Sequence, residues 1–267
     1  MSFFRRALPR VFAHRGGCAL GPENTLEGFD RGLAQGADGL ELDVRLSADG
    51  EVIVCHDETL DRTTDATGPV AARRASDLAR VDAGFWYRDA DGQYPCRDGG
   101  IGIPTLRSVL DRYPDVPVIV EMKVNTPEMG RATASVVDAA SAADRVCAAG
   151  SGGRAVAAAR RALPEMATSA SRWDVRLALY RSWAGWPVRH VAYGGYQVPE
   201  TAGLTRLLSP RFVRHAHAAG LEVQAWTIDA EADIVRLLDW GVDALITDRP
   251  DVAVAVCRRF VAELDRR

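Results

Sequence analysis

The amino-acid sequence predicts an α/β fold, a (β/α)8 barrel of the TIM type with a small insertion between the second and third barrel strands. Apolar strand-like runs alternate with helical patterns over most of the chain, as in parallel sheets covered by helices. Eight such runs can be counted, and 267 residues suffice for a single barrel domain spanning 1–267. A doubly wound open sheet is the alternative, because local pattern alone does not show closure.

The predicted strands are short apolar runs at residues 11–13, 39–46, 116–122, 145–148, 166–169, 188–192, 221–227 and 242–247. A helix follows the first strand, because Leu26, Phe29 and Leu33 recur at the three- and four-residue spacing of one helix face. Asn24 fits the N-cap of this helix, and Gly36 fits its C-terminal end. Further helices are predicted at 127–140, 153–163, 210–219 and 231–240.

Residues 58–102 interrupt this alternation. The segment is rich in Asp, Gly and Arg, and Phe85, Trp86 and Tyr87 form its only strong apolar cluster. We interpret it as the insertion, projecting from the end of the barrel that carries the polar side chains described below.

The composition excludes several classes of protein. The chain has 33 basic and 36 acidic residues, so no basic field indicates a nucleic-acid partner. Its five cysteines are scattered and form no CxxC pair, which argues against a disulfide framework and a structural zinc site. Reduced thiols in a cytoplasmic protein are the simplest interpretation.

No membrane segment is expected. No apolar run approaches the roughly 18 residues that a membrane helix needs, and the first residues are too short and interrupted for a signal peptide. For Phe3, Phe4, Arg5 and Arg6 we favour a frayed terminus over contact with a membrane surface.

Acidic side chains stand at the ends of two predicted barrel strands. Glu41 and Asp43 share one face of the second strand, because side chains at i and i+2 point the same way. Glu121 and Lys123 share a face at the end of the third strand. Two such carboxylates repel unless a cation or a shared proton lies between them. We therefore predict that Glu41, Asp43 and Glu121 bind a divalent cation, Mg²⁺ or Ca²⁺; pairing with arginines at the barrel rim is the alternative.

Two histidines are the acid–base candidates. His14 follows the first strand, and His56 follows the strand-like run 51–55. An imidazole with a pKa near ~6.5 can both donate and accept a proton at neutral pH, so we predict that the pair is catalytic. Asp57 either orients His56 or caps the next turn.

Three side chains complete the predicted site. Arg15 and Lys123 supply positive charge and hydrogen-bond donors for a phosphate, although each could instead form a salt bridge to the neighbouring acids. Trp226, at the end of the seventh strand, either walls the substrate pocket or packs at the barrel end.

Other chemically suggestive residues are interpreted as structural. His215 and His217 lie two positions apart on a predicted helix and diverge around its axis, and His190 stands at the N-terminal end of the sixth strand. Nothing marks Cys18 or Cys55 as an activated thiol.

Two features between the fourth and sixth strands are weaker indications of a binding site. Trp173, Trp183 and Trp186 could line a lipid or alcohol pocket, but helix packing is the favoured interpretation. The glycine-rich residues 150–153 lack the spacing and the lysine of a phosphate-binding loop.

These motifs together resemble the glycerophosphodiester phosphodiesterases. The matching segments are His14-Arg15-Gly16, Pro22-Glu23-Asn24-Thr25, Glu41-Leu42-Asp43-Val44, Asp49-Gly50, His56-Asp57, Leu60-Asp61-Arg62-Thr63-Thr64, Ile103-Pro104-Thr105-Leu106, Glu121-Met122-Lys123, Trp226-Thr227 and Thr247-Asp248-Arg249-Pro250. The resemblance spans nearly the whole chain and is most specific in its first sixty-odd residues.

The resemblance implies a barrel with a small insertion after the second strand. It also implies the cation ligands, acid–base histidines and phosphate-binding residues proposed above. Bacterial members of that family cleave glycerophosphodiesters to glycerol 3-phosphate and an alcohol. The chain departs from the family at residues 149–152 and at Asp229, which affects the pocket shape and hence the choice of substrate.

The expected function is metal-dependent hydrolysis of a small-molecule glycerophosphodiester by acid–base catalysis through a cyclic phosphate. A lysophospholipase D or a sphingomyelinase-D-like lipid phosphodiesterase is the alternative for the same site. A non-catalytic phosphodiester-binding barrel is the alternative from another class. The sequence does not indicate the oligomeric state.

Overall fold

Eight parallel strands form a barrel in the computed structural model, which describes residues 3–4, 9–264 and 266. The barrel strands are β1 Arg10–His14, β2 Gly39–Leu46, β4 Val118–Met122, β5 Val146–Ala149, β6 Ala167–Thr168, β7 Gly195–Pro199, β10 Glu222–Trp226 and β11 Ala244–Thr247. Three short strands lie outside it: β3 Val52–Val54, β8 Thr201–Ala202 and β9 Thr205–Arg206.

Helices cover the outside of the barrel. They are α1 Leu26–Ala34, α2 Ala75–Leu78, α3 Leu106–Arg112, α4 Pro127–Ala139, α5 Gly153–Ala162, α6 Arg172–Ala184, α7 Pro210–His217, α8 Glu231–Asp239 and α9 Pro250–Leu264. A short 3-10 helix spans Val70–Ala72. Among the helices of the described residues, none is both long and apolar enough to cross a membrane.

The barrel closes between β6 and β7. Hydrogen-bonded neighbours run in the order β6-β5-β4-β2-β1-β11-β10-β7. At the closure Ser169 pairs with Gly195 in a parallel bridge, and the amide of Gly194 donates to the carbonyl of Thr168 at 3.1 Å. The predicted (β/α)8 barrel is confirmed.

The sixth barrel strand begins at Gly195 and not at the predicted residues 188–192. A Cβ at position 195 would lie 2.8 Å from the carbonyl oxygen of Glu222 and 2.9 Å from the ring of Phe4. Glycine therefore permits the close strand approach here, and the apolar run before it is a loop. His190 is exposed in that loop and does not precede a barrel strand directly.

Side-chain alternation on β2 separates packing from chemistry. Leu40, Leu42 and Val44 are fully buried in the apolar layer between the barrel and its helices. Glu41 and Asp43 point the other way, toward the barrel axis, as their spacing predicts.

The opposite end of the barrel is filled by an aromatic plug. Phe3 is 1% exposed and stacks on Phe12 with 5.7 Å between ring centroids. Arg10 beside them forms a buried ion pair with Glu222. The expectation of a frayed terminus is therefore wrong for Phe3, while Arg5 and Arg6 lie outside the described residues.

The start of α1 differs from the prediction by one residue. Thr25 is the N-cap, and its hydroxyl accepts a hydrogen bond from the amide of Gly28 at 3.0 Å. Asn24 has a left-handed backbone (φ 57°), and its side-chain amide donates to Asp43 at 3.0 Å. A residue suited to capping is instead used to hold an acid of the site.

Helix α6 is apolar on both faces. Val175 and Leu179 are buried against the barrel, whereas Trp173 is 74% and Trp183 is 50% exposed. Trp186, just beyond the helix, is 67% exposed. The interpretation of these tryptophans as helix packing is therefore wrong, because the packed face of the helix is the other one.

The insertion after β3 has a small apolar cluster, which includes Leu60, Leu78 and Ile101. It contacts α1, where the guanidinium of Arg31 lies 5.9 Å from the centroid of the Tyr87 ring. Strand β3 runs antiparallel to the end of β2. This hairpin brings His56 back to the level of the acids on β2.

Candidate active site

A cavity of about 820 Å³ opens at the carboxyl ends of the barrel strands. Its volume is toward the upper end of the ~300–1,000 Å³ usual for ligand sites. The predicted site residues that line it are His14, Arg15, Glu41, His56, Glu121, Lys123 and Trp226. Asp43 lies behind them and contacts Arg15 and Lys123.

Three carboxylates converge at the floor of this cavity or directly behind it. Glu41, Asp43 and Glu121 each offer an oxygen, and these atoms all lie within 4.8 Å of one another. Asp43 and Glu121 are paired in register across β2 and β4. Glu41 and Asp43 are buried, and Glu121 is partly exposed. Such a set of oxygens could hold a metal ion.

Glu41 differs from Asp43 and Glu121 in its charged partners. Burial, together with the negative charge of Asp43, raises the pKa of Glu41 to about 8. Within the described ranges, no arginine or lysine forms an ion pair with it; its polar contacts are the amide of Arg15 at 3.1 Å and His14 at 3.9 Å. A hard divalent cation would provide the missing countercharge, so the donor set fits Mg²⁺ or Ca²⁺.

The side chains of Arg15 and Lys123 form ion pairs with acids of the site. Arg15 Nε is 3.1 Å from Asp43 Oδ2, and Lys123 Nζ is 3.4 Å from both Asp43 Oδ1 and Glu121 Oε2. Both cations also line the cavity. Arg15 has a left-handed backbone (φ 51°), which is unfavourable for a residue other than glycine. Lys123 is the only lysine among the 33 basic residues of the chain.

His14 is held by a carboxylate from the other end of the chain. Its Nδ1 lies 2.5 Å from Asp248 Oδ1, and its Nε2 lies 3.9 Å from Glu41 Oε2. Burial lowers the pKa of His14, but the hydrogen bond to Asp248 and the charge of Glu41 outweigh burial. The net result is a pKa above its usual value.

His56 is also held by a carboxylate, that of Asp57. Its Nδ1 lies 2.6 Å from Asp57 Oδ1, and Arg62 Nε donates to the other oxygen of Asp57 at 2.5 Å. Burial raises the pKa of Asp57, but the hydrogen bonds from Arg62 and His56 outweigh it and bring the pKa to about 2. Asp57 therefore orients His56, which was one of its two predicted roles.

The same nitrogen is left for proton transfer in both imidazoles. Because an ionised carboxylate only accepts hydrogen bonds, Nδ1 of each ring carries the proton in this arrangement. Nε2 of His14 and of His56 is then left with a lone pair when the ring is neutral. Either ring can accept a proton or, once protonated, donate one.

An ion network that the sequence reasoning missed joins the two sides of the site. Arg62 of the insertion donates to both oxygens of Glu23 at 2.7 Å, and Glu23 accepts from Arg15 at 3.1 Å. These contacts lower the pKa of Glu23 although burial opposes them. Glu23, Arg62 and Asp248 all lie in the segments that carry the family resemblance, so a signal was present, but no single segment reveals its partner.

The cysteines near the site remain thiols. Cys18 Sγ donates to Asp248 Oδ1 at 2.8 Å, and burial raises the pKa of Cys18 well above its usual value. Burial also raises the pKa of Cys55 to about 11. Outside the cavity, His217 pairs with Asp243 at 2.8 Å, which agrees with a structural role.

The chain matches a family model over nearly its whole length. The model of the Glycerophosphoryl diester phosphodiesterase family matches residues 14–252. The chain is similar to a glycerophosphodiester phosphodiesterase from Caldanaerobacter subterraneus subsp. tengcongensis, with 27% identity over 254 residues covering 93% of this chain and 98% of the relative.

Two solved structures are also similar. One is a phosphodiesterase from Oleispira antarctica in complex with the product sn-glycerol-3-phosphate, with a TM-score of 0.74, 28% identity and coverage of 93% of this chain and 96% of that chain. The other is a glycerophosphodiester phosphodiesterase from Agrobacterium tumefaciens, with a TM-score of 0.74, 27% identity and coverage of 93% and 100%.

Proposed function

Because this chain belongs to the glycerophosphoryl diester phosphodiesterase family and is thus an enzyme, we propose that it hydrolyses glycerophosphodiesters to sn-glycerol 3-phosphate and an alcohol. The observation that carries the proposal is the convergence of His14, His56 and three carboxylates on one cavity. The similarity to the Oleispira antarctica enzyme solved with sn-glycerol-3-phosphate supports the same product here.

Glu41, Asp43 and Glu121 are the residues that would hold a divalent cation. When bound, the cation would stabilise negative charge on the phosphate and lower the pKa of a nearby hydroxyl. Arg15 and Lys123 are placed to hold the remaining phosphate oxygens, since both line the cavity beside the acids. Trp226, which is 41% exposed, forms part of the wall around the substrate.

The histidines would move the protons. Nε2 of one imidazole accepts the proton of the glycerol 2-hydroxyl, whose oxygen attacks phosphorus. Nε2 of the other donates a proton to the alcohol oxygen as its bond to phosphorus breaks, which leaves a cyclic phosphate. Water then opens the ring with the two roles exchanged.

The test is release of sn-glycerol 3-phosphate from glycerophosphocholine by protein stripped with EDTA. We expect no turnover in EDTA and restored turnover when Mg²⁺ or Ca²⁺ is added, with Mn²⁺ as a third ion. An analogue with 1,3-propanediol in place of glycerol lacks the 2-hydroxyl and should not be cleaved. If folded protein releases no sn-glycerol 3-phosphate with any of the three ions, the proposed activity is wrong. If the analogue is cleaved, the reaction does not pass through a cyclic phosphate.

The metal should stabilise the protein more as the pH rises. The folded state keeps a proton on Glu41 up to about pH 8, whereas the unfolded chain releases it near ~4.3. The stability of the metal-free protein therefore falls as the pH rises through this window. His14, whose pKa is also raised, contributes with the same sign. Since the cation needs ionised Glu41, its binding strengthens over the same range.

Thermal unfolding with EDTA and with Mg²⁺ or Ca²⁺ between pH 5 and 8 measures this effect. We expect the gain in Tm from the metal to grow with pH, and to be small and nearly pH-independent in Glu41→Gln. A gain that is equally large at pH 5 and pH 8 in the wild type would contradict the assignment of Glu41 as a ligand.

A further inference from the structure

One side of the barrel carries exposed apolar side chains that neither the packing nor the proposed reaction uses. Trp173, Leu177, Tyr180 and Trp183 follow one another along α6 at spacings of three and four residues, and Trp186 lies just beyond its end. Between 49% and 74% of each side chain is exposed. We call these five residues the aromatic face. An exposed apolar patch of this kind marks an interaction site.

Side-chain contacts hold the aromatic face in place, both within α6 and from the neighbouring helix α7. The rings of Tyr180 and Trp183 contact each other edge to face at 5.6 Å, and the guanidinium of Arg176 lies 5.1 Å from the Trp173 ring. Arg211 of α7 donates to the carbonyl of Trp183 at 2.7 Å. The face is therefore presented by a helix that is anchored to its neighbour.

The segment that carries the aromatic face is strongly basic, although the chain as a whole is acidic. Residues 151–220 contain ten arginines and three acids, whereas the rest of the chain has 23 basic and 33 acidic residues. Arg172 and Arg176 on α6, Arg189 in the loop after it and Arg214 on α7, the helix that packs against α6, are exposed. Such a surface attracts an anionic partner.

The aromatic face continues into the active-site cavity. Arg176, Tyr180 and Trp183 line the cavity as well as the surface. Across the mouth, the β8–β9 hairpin lines it with Ala202 and places Leu204 fully exposed at its tip. Whatever binds the face is therefore next to the entrance of the site.

We propose that the aromatic face docks the enzyme on a lipid bilayer that contains anionic lipid, with the mouth of the cavity toward the bilayer. Tryptophan and tyrosine place their amphipathic rings at the headgroup level of a membrane, and arginines attract anionic headgroups. A second copy of the chain fits less well, because a self-complementary dimer through this face would bring the arginines of both copies together.

Sedimentation with vesicles tests the proposal. The full chain is mixed with vesicles of phosphatidylcholine alone or with 30% phosphatidylglycerol, at 0.1 M and at 1 M salt. We expect binding to the anionic vesicles at 0.1 M, and much weaker binding at 1 M, where the Debye length falls from about 10 Å to about 3 Å. Neutral vesicles should bind weakly at both salt concentrations.

Variants separate the aromatic and the charged contributions. The combined variant Trp173→Ser, Leu177→Ser and Trp186→Ser changes side chains outside the cavity, and should weaken vesicle binding about tenfold or more. Turnover of soluble glycerophosphocholine should be unchanged. The pair Arg189→Glu and Arg214→Glu should abolish the preference for anionic vesicles. Val261→Ser with Leu264→Ser, on exposed positions of α9, is the matched control.

Three results would overturn the proposal: a wild type that ignores anionic vesicles, a triple variant that binds like the wild type, or a wild-type dimer that the triple variant dissociates. The last would identify the aromatic face as a subunit interface. Vesicle binding is measured without turnover, and circular dichroism checks the fold. Failure of the proposed hydrolysis is therefore distinguishable from failure of docking.

Discussion

Replacing His14 or His56 with alanine should lower kcat for glycerophosphocholine by about 10²–10⁴-fold, the usual contribution of general acid–base catalysis. Both rings line the cavity and have Nδ1 on a carboxylate, so Nε2 is the nitrogen left for proton transfer. Each loss would remove one of the two proton transfers in each step. KM should change much less, because phosphate binding is assigned to other side chains.

A substrate with a better leaving group tells the two histidines apart. A nitrophenolate leaves without the proton that an alkoxide needs, so the variant of the residue that is general acid in the first step should regain much of the rate of nitrophenolate release in a single turnover of a glycerol nitrophenyl phosphodiester, while its ring opening stays slow. The variant of the general base should not.

His217→Ala is the matched control for these variants. His217 also forms a hydrogen bond with a carboxylate, Asp243 at 2.8 Å, but lies outside the cavity. A loss below tenfold in His14→Ala or His56→Ala would remove that residue from the mechanism.

Removing a carboxylate of the proposed cation site should lower kcat/KM by about 10³-fold or more, because metal stabilisation of developing charge contributes several kcal/mol and each 1.36 kcal/mol is a factor of ten. Glu41→Gln and Glu121→Gln preserve shape and remove only the charge. Glu121 is partly exposed, so excess metal should partly rescue its variant, whereas the buried Glu41 position should resist rescue.

Titration calorimetry of stripped protein with Mg²⁺ and Ca²⁺ measures the affinity directly. Glu128→Gln, at an exposed position in the first turn of α4, is the control for the loss of one negative charge near the site. Wild-type affinity and rate in Glu41→Gln would exclude these carboxylates as the cation site.

The alternation of strands and helices and the positions of the site residues could be predicted because both follow from local pattern, whereas closure of the barrel depends on contacts between distant segments such as the bridge from Ser169 to Gly195. Alternation on β2 separates Glu41 and Asp43 from the packing leucines, whatever the rest of the chain does. The supporting contacts could not be predicted in this way. Asp248 lies 234 residues from His14 in the chain, and neither residue carries a local mark of the other.

Two predictions for the second half of the barrel were wrong for physical reasons: the start of the sixth barrel strand and the burial of the tryptophans on and after α6. At Gly195 the strand is defined by how closely β10 and Phe4 approach, which a hydrophobic run before it does not reveal. On α6 the buried and the exposed positions are both apolar, so the sequence shows no contrast between faces. The exposed tryptophans were therefore mistaken for core.

Because Lys123 is the only lysine of the chain, the site can be labelled and modified selectively. Because Lys123 Nζ lies between Asp43 and Glu121 and every other basic side chain of the protein apart from histidine is arginine, protein expressed with nitrogen-15 lysine carries a single labelled ammonium. Its resonance would report directly on the carboxylates around it, and on a cation or a phosphate that enters between them, with no other signal to assign. Amine-selective reagents would likewise find one side-chain target in the folded enzyme, inside the cavity.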